Sequence, residues 1–388
     1  MKRFRVAHVI TRLCKGGAQE NTFHTVRLAD RARYEVDLIS GYTTGAEGSI
    51  EDRVRAAGID VIREPMLVRA VSPVRDWLAL RRLARVFRER RYDIVHTHTS
   101  KAGFVGRLAA VRAGVPLIVH TPHGHVFEGY FPKPVTQVFI RLERYAARKS
   151  HRLIALTARG IEQHLAQGVG RREQWIAIFS GIDLSPYAAA VERREATRRA
   201  LGIEPGDLLV GGVGRLEPVK GFAYFVEAAH RIAEAVPRAR FILAGDGSQA
   251  GFLREKAQAL GDRFRLLGLR DDVPDLMAAM DIFVLPSVNE GMGRVLLECG
   301  AAGTPAVASA VGGVPDVLAD GVAGLLVPPG DAGAIAGAVE TLAADPERRR
   351  RMGSDARAAV VPAYGLERMV QSIEAVYETL IEEQGLDC

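Results

Sequence analysis

The feature that most constrains this chain is an alternation that runs through it twice. Short, β-rich apolar runs are separated by longer stretches with helical spacing. In the first half the runs are 4–10 (FRVAHVI), 34–40, 60–64, 93–98 (DIVHTH), 116–122, 151–157 and 174–179. Between them lie helical stretches such as 17–30, 73–90, 102–113 and 133–149. Several runs are almost continuously apolar, as parallel strands covered on both faces require. Strand–helix alternation at this spacing predicts stacked βαβ units.

The rhythm breaks near 180–190, at FSGIDLSPYAAA, and then restarts. The second series is 208–214, 240–245, 264–268, 282–287, 305–309 and 324–328, with helices near 220–236, 248–260, 293–302 and 331–344. Two more helices, about 346–360 and 366–384, close the chain. The expectation is an α/β protein of two doubly wound, Rossmann-like domains. Ligands of such sheets bind beyond the carboxyl ends of the strands, so a cleft faced by both domains is the expected site.

Charge changes sign at the same break. Residues 1–190 hold 31 Lys+Arg against 17 Asp+Glu, and the remainder holds 21 against 29. The net +6 is therefore a sum over two different halves. No nucleic-acid motif accompanies the basic half, and aromatic residues are only 6% of the chain, so nucleic acid is not an expected partner. The longest stretch without a charged side chain, 299–315, is broken by two prolines and several glycines, which argues against a membrane span. With no secretory h-region at the start and three scattered cysteines, a reducing cytoplasm is the default expectation.

Chemistry should sit in the strand-exit loops. After the first strand, Gly16 and Gly17 precede a helix, where backbone N–H groups can meet an anion or simply make a tight turn. After the fourth and fifth strands come His96, His98, His120, His123 and His125, readable as metal ligands or as a polar active-site floor. Metal hydrolases with His-x-His at a strand end also need ligands on later strands. Here His151, His164 and His230 sit in no such loop, so no metal is expected. Arg215 and Lys220 follow the 208–214 strand, two cations beside a helix start, which suits a diphosphate. Gly245, Gly247 and Gly251 imitate a dinucleotide fingerprint but lack the acidic residue that should end the next strand.

After 282–287 comes VNEGMGRVLLECG, with Glu290 just before a helix opened by glycines and Glu298 within it, eight residues apart. On one continuous helix they would stand up to ~12 Å apart along the axis and ~80° apart in azimuth. That is too far for an acid/base pair on one bond. It suits the two ends of an extended ligand whose negative middle lies on Gly291, Gly293 and a helix N-terminus. The Gly312–Gly313 loop exits the next strand toward the same place. There is no Walker loop, no Asp-x-Asp and no nucleophile elbow, so neutralisation of a diphosphate would rest on cations and helix termini.

With these residues in view, the chain resembles bacterial retaining glycosyltransferases of the GT-B fold, which use nucleotide sugars. The likeness is nearly full length. It runs through GGAQ, VHTHTSKAGFVGRLAA, HTPHG, GID, VGRLEPVKG, AGDG, the long segment LLGLRDDVPDLMAAMDIFVLPSVNEGMGRVLLECGAAGTPAVAS, GGVPDVL and the final VYETL. VHTHTSKAG and HTPHGH look most like enzymes of exopolysaccharide or lipid-linked glycan synthesis.

The resemblance implies an acceptor-binding domain at 1–182, a nucleotide-sugar domain at 183–365, and a last helix (366–388) crossing back to the first domain. It implies that Arg215 and Lys220 hold the diphosphate and that Glu290 binds donor-sugar hydroxyls. Met292, Gly293 and Arg294 would line sugar and phosphate, Val295 would lie beside the nucleotide, and Glu298 would bond the ribose. Leu267 and its neighbours would pack on the base, Gly16 and Gly17 would face the phosphate, and His123 would sit near the anomeric carbon. Transfer would retain configuration by front-face attack, with a UDP- or GDP-sugar as substrate and no tightly bound cofactor.

Departures from the pattern are Gln19 for Glu, Ser180 for Asn and Arg294 for a small apolar residue. A nucleotide-sugar epimerase is the alternative on the same scaffold, though it would need acid/base carboxylates where the first half offers histidines. The acceptor is expected to be a glycan or lipid-linked glycan. The segments 69–91 and 126–150 combine arginines with Trp77, Leu80, Leu83, Val86 and Phe87 or with similar apolar groups. They are expected either to be ordinary helices with solvated basic faces or to dock on an anionic membrane surface. A peripheral enzyme on the inner face of the plasma membrane is the corresponding expectation.

Overall fold

The computed structural model describes residues 2–44, 48–124 and 132–387. The chain forms two units, Met1–Gly181 with Leu366–Cys388, and Ile182–Gly365.

In the first unit seven strands are all parallel: β1 (Phe4–Ile10), β2 (Tyr34–Ser40), β3 (Val61–Arg63), β4 (Ile94–His98), β5 (Leu117–Thr121), β6 (Arg152–Ala155) and β7 (Trp175–Ala177). Their order is β3-β2-β1-β4-β5-β6-β7, so strand order reverses between β1 and β4. Side chains alternate across a strand, and here the alternation sorts the core. Ala7, Val9, Val95 and Ile118 face the helices Pro73–Arg90 and Ser100–Ala113. Phe4, Val6, Ile94, Leu117 and Val119 face the final helix, Leu366–Glu383. That helix buries Met369, Val370, Ile373, Val376, Tyr377, Leu380 and Ile381, a stripe at three- and four-residue spacing. Each large apolar side chain so covered is worth about 1.5–3 kcal/mol relative to exposure. An Arg33–Glu378 pair at 2.7 Å fastens the same helix at the sheet's other end.

In the second unit six parallel strands follow: β8 (Leu208–Val213), β9 (Ala239–Ala244), β10 (Phe264–Gly268), β11 (Ile282–Leu285), β12 (Ala306–Ser309) and β13 (Gly324–Val327). Their order, β10-β9-β8-β11-β12-β13, reverses between β8 and β11. Helices cover both faces, with Phe222–Ala235 and Ala332–Ala344 on one and Val273–Ala279 and Arg294–Ala301 on the other. Both sheets are thus doubly wound, as expected. The thirteen strands lie where the apolar runs placed them, shorter by a residue or two at several ends.

Candidate functional site

In the second unit the loops leaving β8, β9, β11 and β12 are bonded into one structure. Gly214 N–H donates to Ala244 O at 3.0 Å and Leu216 N–H to Asp246 O at 2.9 Å, joining the first two loops. Val288 N–H donates to Val219 O at 3.0 Å, joining the loops after β8 and β11 across the strand-order reversal. This last bond sets Lys220 beside Glu290, and Lys220 Nζ donates to Glu290 Oε1 at 2.5 Å. Ser287 Oγ donates to the same oxygen at 2.8 Å. The Lys220 and Glu290 side chains are 22% and 10% exposed, so the pair is largely removed from solvent screening.

Gly312 makes the fourth loop fit. It sits at φ +50°, and a Cβ there would lie 1.8 Å from Glu290 O. Gly245 does the same for the β8 and β9 loops, since its Cβ would lie 1.8 Å from Gly214 O at φ +139°. Gly251, by contrast, stands in the helix Ala250–Lys256 with nothing within 4 Å of a Cβ. The three-glycine pattern is thus two loop contacts and an unrelated helical glycine rather than a dinucleotide fingerprint.

The remaining expected residues fall around this centre. Arg215 is exposed at the end of β8. Met292 is buried and Gly293, at φ +73°, starts the helix Arg294–Ala301. Arg294 and Val295 lie half-buried in its first turn and Glu298 half-buried further along. Leu267 is half-buried beside an irregularity in β10, packed on the core under the reversal. As expected, Glu290 precedes that helix, which begins at Arg294, and Glu298 lies within it, so helical rise describes only the part of their separation from Arg294 onward.

In the first unit Gly16 and Gly17 open the helix Gly17–Leu28, with Glu20 N–H donating to Gly16 O at 3.0 Å. The histidines divide by strand alternation. His96 and His98 share the sheet face toward the final helix, where β1 adds His8, paired in register with His96. His120 points to the opposite face, its ring 2.4 Å from where a Gly103 Cβ would stand, and Thr97 Oγ1 lies 2.9 Å from its Nδ1. His8, His96, His98 and His120 are all at most 1% exposed, whereas His123 is half-buried. His125 lies outside the described residues.

Burial holds these imidazoles neutral. Desolvation, with a smaller push from Arg31, lowers His8 to about 3. Desolvation, then neighbouring charge, lowers His96, His98 and His120 well below the usual histidine range. The ring nitrogens of His8, His96 and His98 approach within 4.8 Å of one another, a spacing a metal could use. They are, however, already hydrogen-bonded to one another, to His123 and to the Tyr377 and Thr121 hydroxyls.

His8 was not among the candidates because a single polar residue in FRVAHVI carries no signal until β1 is registered against β4. Strain marks the same region. Among the described residues only Arg91, Thr99 and His123 are non-glycine residues with positive φ, and two of these three are in the exit loops of β4 and β5.

Comparison with known proteins places this architecture. Residues 16–178 match the family Glycosyl transferase 4-like domain, and residues 193–359 match Glycosyl transferases group 1. The chain is 31% identical, over 98% of its own length and 98% of the other's, to the UDP-Gal:alpha-D-GlcNAc-diphosphoundecaprenol alpha-1,3-galactosyltransferase of Escherichia coli. It is 32% identical to the 2-deoxystreptamine N-acetyl-D-glucosaminyltransferase of Streptomyces fradiae, over 92% of this chain and 90% of that one. Among solved structures, Anabaena Alr3699/HepE in complex with UDP-glucose is alike with a TM-score of 0.81 and 25% identity, covering 97% of this chain and 100% of that one. With both halves matched in order and relatives aligned end to end, the chain belongs to the GT-B glycosyltransferases.

Proposed function

We propose that this glycosyltransferase moves a hexose, with retention, from a UDP- or GDP-sugar to a glycan or lipid-linked glycan acceptor in cell-envelope or exopolysaccharide synthesis. The observation that carries this reading is the Lys220–Glu290–Ser287 cluster at the strand-order reversal of the second unit. A cation, a carboxylate and a helix start converge there, the combination that a sugar diphosphate needs. Lys220 and Arg215 neutralise the diphosphate, Glu290 takes the sugar hydroxyls, and Glu298 the ribose. The backbone from Met292 to Arg294 and the side chains of Val295 and Leu267 line the donor.

In the transfer the acceptor oxygen bonds to the anomeric carbon as the carbon–phosphate-oxygen bond breaks. The acceptor proton passes to the leaving phosphate, and the two cations stabilise the charge that develops. Neither a resident metal nor another cofactor has a role in this scheme. Of the two bases, uracil is favoured by the UDP-Gal donor of the Escherichia coli relative, whose acceptor also motivates a diphosphate-lipid acceptor here.

The first unit is proposed as the acceptor-binding domain, with Gly16, Gly17 and His123 as its ligand-contacting residues. No helix among the described residues is long and apolar enough to cross a membrane. Peripheral attachment to the inner face of the plasma membrane is proposed instead. Its support is the helix Lys133–Ala147, which leaves Val135, Val138, Leu142 and Tyr145 exposed along one stripe. Val74 and Trp77 in the first turns of the helix Pro73–Arg90, and Val71 just before it, are exposed as well. Leu80, Leu83, Val86 and Phe87 pack into or against the core, as the ordinary-helix reading of this segment expects.

The experiment is a screen of UDP- and GDP-sugars by calorimetry. It is followed by transfer to GlcNAc-diphosphoundecaprenol with and without EDTA, and by NMR of the product anomer. An α-linked product from an α-donor, formed in EDTA, is the expected result. An inverted product, or a donor that is only epimerised, overturns the reading.

A further inference from the structure

The buried histidines of the first unit form a continuous hydrogen-bonded chain that starts on the final helix and ends at His123. Tyr377 Oη lies 2.6 Å from His96 Nδ1 and 3.4 Å from His8 Nε2. His8 Nδ1 lies 2.9 Å from His98 Nε2, and His98 Nδ1 lies 2.9 Å from His123 Nε2. His96 Nε2 closes the set on Thr121 Oγ1 at 2.8 Å. We propose that this chain, anchored on Tyr377, fixes the tautomer of His123, with Nε2 protonated and Nδ1 left as a hydrogen-bond acceptor. His8, His98 and Tyr377 are then positioning residues for the His123 imidazole.

The direction follows from counting protons. A neutral imidazole donates from one nitrogen and accepts at the other, and burial keeps His8, His96 and His98 neutral. A chain of such rings can point all its protons one way or all the other, and one fixed end decides which. Tyr377 is that end. A phenol is a better donor than a neutral imidazole, and its single proton goes to the nearer acceptor, His96 Nδ1 at 2.6 Å rather than His8 at 3.4 Å.

His96 Nε2 therefore carries its own proton and donates it to Thr121 Oγ1. Tyr377 Oη is left to accept from His8 Nε2, His8 Nδ1 accepts from His98 Nε2, and His98 Nδ1 accepts from His123 Nε2. Reversal would require turning the Tyr377 hydroxyl and shifting the proton on every ring together. Tyr377 is itself held, 3% exposed and edge-on to Tyr34 with ring centroids 5.7 Å apart. The same bonds decide against a metal at this cluster, because each ring nitrogen of His8, His96 and His98 already has a partner in a hydrogen-bond network that needs no ion.

The role assigned to His123 rests on the proposed transfer, but the tautomer can be read without it. The full chain is labelled with nitrogen-15 histidine, and long-range proton–nitrogen spectra are recorded for wild type, Tyr377→Phe and His98→Asn. Tyr377→Phe removes one buried oxygen and keeps the ring. His98→Asn breaks the chain one link from His123 and serves if the first variant folds poorly. The wild-type His123 should show Nε2 protonated, and both variants should show mixed tautomers. Turnover should fall with the donor KM little changed, since a wrong tautomer lowers kcat rather than binding. A wild-type His123 protonated on Nδ1, a tautomer unmoved in both variants, or stoichiometric zinc lost on His98→Asn overturns the inference. If the tautomer shifts but wild type transfers no sugar, the chain stands and the transfer reading fails.

Discussion

Lys220 Nζ and Glu290 Oε1 lie 2.5 Å apart although 70 residues separate them in sequence, and they sit on the two strand-exit loops that flank the reversal of the second sheet. Their pairing gives each a defined rotamer before a sugar diphosphate engages either. Replacing Lys220 by Met leaves the Glu290 carboxylate with the Ser287 hydroxyl as a side-chain donor, at a cost on the order of 1–3 kcal/mol. The transfer rate should fall further, by about a hundred- to a thousandfold, as when a group facing developing negative charge is removed. Glu290→Gln keeps the shape and the Ser287 contact, so it should lower the rate with little change in melting temperature. Initial rates of nucleotide release beside thermal melts separate the two effects.

Gly312 offers a sharper probe, because the atoms nearest an added Cβ are all Glu290 backbone. A methyl group there would occupy the place of Glu290 O, 1.8 Å away, and would be strained at φ +50° as well. Gly312→Ala should therefore push Glu290 off its position. Donor binding by calorimetry should weaken at least tenfold for a folding cost of about 1–3 kcal/mol. Gly251→Ala is the control. It has open space and a helical setting, so it should bind as wild type does and be slightly more stable.

Acid should weaken the first unit before the second. The folded His8 binds its proton only near pH 3, against an ordinary value of 6.5, and His96, His98 and His120 are displaced in the same direction. Between those values the unfolded chain holds more protons than the folded one. Stability is therefore full above about pH 6.5 and falls as pH drops toward 3. Each histidine contributes a slope of up to about 1.4 kcal/mol per pH unit. The second unit contains one histidine, His230. Hydrogen exchange at about pH 7.5 and about pH 5, corrected for intrinsic rates, should show β1, β4 and β5 losing protection while β8, β11 and β12 change less.

These effects trace how much could be read from sequence. Parallel strands covered on both faces need near-continuous apolar runs, so all thirteen were visible. Short helices such as Ser185–Ala190, Arg194–Ala200 and Val273–Ala279 were not, because six or seven residues hold under two turns of periodicity. Lys220 and Glu290 were visible as strand-exit residues of the right chemistry, whereas their direct contact depends on the Val288–Val219 bond between loops. The imidazole chain was least visible. It needs the β1–β4 register and a tyrosine 254 residues beyond His123, brought back by the last helix.

The exposed stripe on the helix Lys133–Ala147 carries the last expectation. Val135, Val138, Leu142 and Tyr145 recur at intervals of three, four and three residues, so they share one face, and each is more than a third exposed. Lys133, Arg141, Arg144, Arg148 and Lys149 lie on or just beyond the same helix. An apolar stripe flanked by cations lies flat on an anionic bilayer, with burial and surface charge adding. Val138→Ser with Leu142→Ser should reduce sedimentation with phosphatidylglycerol vesicles several-fold while leaving transfer to a water-soluble acceptor analogue intact. High salt should reduce the wild-type binding too, since the cationic share is screened. Equal sedimentation of variant and wild type would assign the stripe to some contact other than lipid.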